Sequence, residues 1–171
     1  MLSQRQELTR AARDLALPRA QFRILPEEEA APIIGCIELH FVERPGLRWW
    51  WEAFQGTPVA QAHFADGTGW KHLTSIAPPG SGLVWFVVEG SPTFVLCEGN
   101  VDAIQSVIGE CWGFEYYLVS QGLDWLVCEN HSDVVCAIGA AVTDRLKQEA
   151  DRHGLKPEAD KSPLSRGQPD G

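Results

Sequence analysis

The sequence is poor in the features that usually announce a function. It contains no C-x-x-C pair, no G-x-S-x-G, no phosphate-binding P-loop, no G-x-G-x-x-G and no H-E-x-x-H. It has no basic patch: 14 Lys and Arg stand against 23 Asp and Glu, a net charge of -9. A surface of that sign repels phosphate backbones, which argues against nucleic acid as a partner. It suits a basic partner, and it also serves solubility. No stretch approaches the ~18 uninterrupted apolar residues of a membrane span. The first residues, MLSQRQELTRAARDLAL, carry Glu7 and Asp14 where a secretory leader would be apolar. A cytoplasmic protein is therefore expected. The five cysteines are an odd number, and Cys36, Cys97, Cys128 and Cys136 fall in apolar runs, so they read as reduced core residues. No internal repeat and no cofactor motif is present, and no cofactor is expected.

What the chain does have is a core. Hydrophobic residues make up 44% of 171, and there are seven tryptophans, enough for one domain of ordinary size. Ser3 and Gln6 form a capping box before Leu8, Ala12 and Leu15, which predicts a helix over 3–17 that Pro18 ends. A short strand is expected over 22–25. Residues 26–32, with Glu27, Glu28 and Glu29 between two prolines, read as an exposed connection. Ile37, Leu39 and Phe41 alternate with Glu38 and His40, which predicts a half-buried strand. Arg44-Pro45-Gly46 turns the chain. Trp49, Trp50 and Trp51 are consecutive, so at least one must leave the core or cover an edge. DGTG at 66–69 reads as a turn, 70–76 as a strand and 77–82 as a loop.

The second half has sharper punctuation. Residues 83–89 and 93–98 read as a hairpin around Gly90-Ser91-Pro92. Asn100 caps a helix whose apolar face is Val101, Ile104, Val107, Ile108 and Cys111, with Gly113 at its expected end. Strands over 114–119, 123–129 and 134–139 follow, joined so briefly that they must be antiparallel neighbours. Both faces of 123–129 are apolar, so it is expected to be central and covered on both sides. A last helix spans about 140–153. The fold class expected is α+β: one domain, an antiparallel β-sheet with helices packed on one face, in the order α-(β-rich)-β-β-α-β-β-β-α, over residues 1–153. Residues 154–171, with three prolines and little to bury, read as a disordered C-terminal tail.

The polar knot Cys128-Glu129-Asn130-His131-Ser132-Asp133 lies between two apolar runs. Asn, Ser and Asp favour turns because their side chains bond their own backbone. Beyond a turn, the knot offers a contact surface. Trp125, Glu129, Asn130, His131 and Asp133, with the Tyr117 hydroxyl in reach, could recognise a basic protein through charged hydrogen bonds and an aromatic anchor. Two alternatives stand beside it. One is a small hydrolase or metal-dependent enzyme using Glu129, His131 and Asp133, although no nucleophile is marked. The other is a small-ligand or sugar binder with a tryptophan-lined site. A zinc site needs paired Cys/His spacing, whereas Cys128 and His131 stand alone and His40, His63 and His72 are scattered, so no metal is expected at the knot.

The run GFEYYLVSQGLDWLVCENHSDVVCAIG, residues 113–139, resembles the signature of a family of small bacterial proteins of unknown activity. That signature has an EYY-type strand, a D-W-L element, an E-N-H segment and a closing glycine. The resemblance implies a bacterial cytosolic protein. In that pattern a second histidine often follows the first, and here Ser132 takes its place, which weighs against a two-histidine metal site. In character alone, a small acidic α+β domain with an aromatic sheet is similar to immunity proteins, which neutralise toxins by binding them.

Overall fold

The computed structural model describes residues 2–155. Ser3 caps α1 (Gln4–Asp14) through the expected capping box with Gln6, and Leu8 and Ala11 bury its apolar face. β1 (Phe22–Ile24) follows. The next segment departs from the sequence expectation. Residues 27–41 are neither a connection nor a strand but one helix, α2 (Glu27–Phe41). Three glutamates in its first turn face the positive end of the helix dipole, and Ala30, Ile37 and Phe41 form its buried face. Leu39, which strand alternation would have buried, is 75% exposed. Pro32 lies inside this helix and forgoes one backbone hydrogen bond.

The tryptophan run leads into a short 3-10 helix, Trp50–Ala53; Trp50 is fully buried, while Trp51 and the preceding Trp49 are half-buried. β2 (Val59–His63) comes next. The strand expected over 70–76 is instead a 3-10 turn, Gly69–His72, running into α3 (Leu73–Ile76). Leu73 and Ile76 are both buried there, a three-residue spacing that suits a helical turn and not a strand. β3 (Leu83–Val88) and β4 (Val95–Asn100) form the expected hairpin.

Asn100 ends β4 and caps α4 (Val101–Gly109), its Oδ1 accepting from the Ala103 amide at 2.8 Å. Asn100→Ala is expected to lower unfolding free energy by about 1 kcal/mol in a urea titration, with the m-value unchanged. α4 stops at Gly109, four residues before the glycine expected to end it, so Cys111 lies outside the helix. β5 (Tyr116–Ser120), β6 (Leu126–Glu129), β7 (Val134–Ile138) and α5 (Ala140–Arg152) complete the chain. Gly154, with φ +65°, ends α5, and Leu155 packs back on the core. The rest of the expected tail lies outside the described residues.

The seven strands make one antiparallel sheet in the order β1-β4-β3-β5-β6-β7-β2. The domain is thus α+β, as the sequence indicated. Side chains alternate between two cores. Phe86, Tyr116, Leu118, Trp125, Val127 and Val135 face one layer, with α1, α3, α4 and α5 above them. Val87, Tyr117, Val119, Leu126, Cys128 and Cys136 face the other, covered by α2 and the tryptophan turn. Helices therefore cover both faces rather than the single face expected, because α2 supplies the second layer. β6 lies inside the sheet with both faces buried, in agreement with its sequence.

Candidate functional site

The knot closes the β6–β7 hairpin. The Asn130 carbonyl accepts from Asp133 N at 3.0 Å, and Asn130 Oδ1 accepts from Ser132 N and Val134 N at 2.9 and 3.2 Å. Asp133 takes the left-handed conformation, φ +59°, that such a three-residue loop requires. This turn forms one rim of a cleft of about 750 Å³.

Glu129 forms its floor. It stands opposite Tyr116 in the β5–β6 register, and the Tyr116 hydroxyl donates to its Oε2 at 2.9 Å. Gly69 N donates to Oε1 at the same distance. Any side chain at position 69 would force its neighbours to move. A Cβ there would lie 2.4 Å from Val135 Cγ2 and 2.7 Å from the carboxylate it binds. Burial pushes the Glu129 carboxyl above its ordinary range, and the hydrogen bonds from Tyr116 and from the Gly69 and Trp70 amides pull only part of the way back.

Glu115, just before β5, is buried and organises the other rim. Its Oε1 accepts from the His131 amide at 3.0 Å and from His131 Nδ1, and its Oε2 accepts from Trp51 Nε1 at 3.1 Å. Trp49 and Trp51 then flank the His131 ring at 5.4 and 5.5 Å. One carboxylate thereby ties the tryptophan turn to the β6–β7 hairpin. At the mouth, Arg48 pairs with Glu89 and lies 5.4 Å from the Trp49 ring centre. Trp70 and Phe114 add to the wall. Trp112, in the loop after α4, is 80% exposed.

Of the residues singled out in the sequence, Glu129, Asn130, His131 and Asp133 meet at this cleft. Trp125 does not; it is buried beneath the helices of the first layer. Tyr117 points to the opposite core, where its hydroxyl accepts from Trp50 N at 2.9 Å. Cys128 stands opposite Cys136 in the second core, on the far face from the cleft, and shares no site with His131. Arg48, Glu89, Trp112 and Glu115 were not singled out as site residues. For Trp112 a signal existed. Once the helix ends at Gly109, a tryptophan three residues on, followed by glycine, has no apolar face to join.

Among the described residues no helix is long and apolar enough to cross a membrane. No curated protein and no solved structure matches the chain. A family model does match, over residues 1–150, and the chain belongs to that family of unknown function, DUF6756.

Proposed function

We propose that the protein is a non-catalytic binding domain whose cleft receives a basic segment of a protein partner, as an immunity-type toxin neutraliser would. One observation carries the reading. The cleft combines aromatic walls, Trp49, Trp70, Trp112 and Phe114, with four acidic side chains, Glu89, Glu115, Glu129 and Asp133, against the one guanidinium of Arg48, on a chain of net charge -9. Aromatic faces and carboxylates together recognise Lys and Arg side chains, by cation–π contact and by charge. Trp112 is placed as an anchor, since a large exposed aromatic at the mouth gains most from being covered. Trp125 and Tyr117 support the sheet beneath, while Asn130 and His131 shape the rim.

The test is binding of Lys- and Arg-rich peptides against neutral peptides of equal length, at low and high salt. Basic peptides should bind and weaken as salt rises. Trp112→Ala should reduce their affinity by about tenfold or more while leaving the melting temperature in place. Equal retention of neutral peptides, or no effect of Trp112→Ala, refutes the reading. A second reading rests on Glu129 itself. A carboxyl held up by burial at a cleft floor is the arrangement of a general acid. Turnover of chromogenic ester or glycoside substrates that Glu129→Gln abolishes would favour that alternative.

A further inference from the structure

Under the first helical layer, His72 meets a pair of side chains four residues apart at the end of α5, Glu149 and His153, across a sequence separation of 77 residues from Glu149. His72 ends the 3-10 turn Gly69–His72, Glu149 lies in the last turn of α5, and His153 is the residue that caps α5. His72 Nδ1 lies 2.8 Å from Glu149 Oε1, and His153 Nε2 lies 3.3 Å from the same oxygen. The two imidazoles meet edge to face with centres 4.5 Å apart. All three ligand atoms fall within 4.8 Å of one another.

We propose that His72, Glu149 and His153 bind a divalent transition metal of the zinc type, with a fourth position open to water. The donor set is two imidazoles and one carboxylate, the softness that Zn²⁺ prefers over Ca²⁺ or Mg²⁺. Donor atoms around a tetrahedral Zn²⁺ with bonds of about 2.0–2.1 Å stand roughly 3.3–3.4 Å apart. The His153–Glu149 separation already has that value. The shorter His72–Glu149 contact is a hydrogen bond whose proton the metal would replace, opening the pair by about half an ångström.

The surroundings support the ion. Glu149 is 4% exposed, and Arg152 Nη1 holds its Oε2 at 2.9 Å, which leaves Oε1 turned towards both rings. The positive charge of Arg152 opposes the ion, but it engages the oxygen the metal does not need. The C-terminal end of α5 adds negative potential. The Phe64 ring lies tilted against His72, centres 4.8 Å apart, and closes the inner side, while His153 is half-exposed and leaves the outer side open. The site also has a position of interest in the fold. The turn that ends in His72 begins with Gly69, the donor to Glu129, and carries Trp70 into the cleft wall. A metal at its far end would fix that wall.

The full chain, free of any polyhistidine tag, should take up one Zn²⁺ per molecule in a calorimetric titration. Co²⁺ should give the visible absorption of a four-coordinate site. His153→Gln and His72→Gln should each weaken binding by about tenfold or more, whereas His40→Gln, His63→Gln and Cys36→Ser should not. His153 is exposed enough that its replacement leaves the core intact, so it decides the matter if His72→Gln does not fold. No saturable one-to-one uptake overturns the proposal, and so does uptake that His153→Gln leaves unchanged.

Discussion

Trp50→Ala is expected to lower the unfolding free energy by about 3–5 kcal/mol, a large part of what a domain of this size possesses. Trp50 is fully buried among Phe94 and Tyr117, with ring centres 4.7 and 4.8 Å away. Its removal would leave a void between the sheet and the turn that covers it. The turn is short and anchored by few groups, among them the Trp50 amide on the Tyr117 hydroxyl, so collapse into the void would pull Trp51 off Glu115. Trp50→Phe separates the volume from the polar atom. Trp50 Nε1 is buried and finds no acceptor among the described residues, a cost of about 1–3 kcal/mol that phenylalanine removes. The phenylalanine variant should therefore lose much less than the alanine variant in chemical denaturation. Equal losses would show that the indole nitrogen is paired in solution.

Glu129→Ala and Glu129→Gln should behave very differently. Alanine strands donors, among them the Gly69 amide and the Tyr116 hydroxyl, at about 1–3 kcal/mol each, and opens a cavity besides. Glutamine keeps an acceptor for Gly69 and a partner for Tyr116 without a buried charge, so its cost at neutral pH should be small. The pair also predicts a pH dependence. The Glu129 carboxyl is raised in the folded protein, so the folded state binds the proton more tightly than the unfolded chain does. Its contribution is then most favourable at acid pH. It declines as pH rises from the ordinary carboxylate value through the raised folded one, and it is level above that. Measured against Glu129→Gln, wild-type stability should fall across this window. A difference that stays flat, or that grows with pH, would contradict the burial argument.

The parts of the fold that could be read in advance are those in which neighbours in sequence are neighbours in space. β3 to β7 are short apolar runs separated by turn residues, and the two apolar faces of β6 correctly marked it as internal. α2 was hidden because Glu27–Glu29 resemble a loop, Pro32 resembles a breaker, and residues 37–41 happen to alternate. Its true period shows in Ala30, Ile37 and Phe41, which only the packing singles out. The site divides in the same way. Glu129, Asn130, His131 and Asp133 share one hairpin and could be named together. Glu115 and Gly69, which hydrogen-bond that hairpin, and Trp51, which binds Glu115 in turn, arrive from elsewhere in the chain through tertiary contacts that no local pattern encodes.

The origin of the outer strands has a consequence for the order of assembly. β1 and β2, which flank the sheet, both precede the inner strands in the chain, and Arg23 meets Glu98 across a separation of 75 residues. The five inner strands lie within residues 83–138 and pair mostly through adjacent hairpins. Closing a long loop is entropically slower than closing a hairpin. On a ribosome β1, α2 and β2 emerge before the inner strands have been made, so they must wait unpaired until the inner ribbon is in place. The tryptophan turn waits with them. The cleft is consequently among the last features of the molecule to exist, completed only when the tryptophan turn and the turn carrying Trp70 dock beside the inner strands.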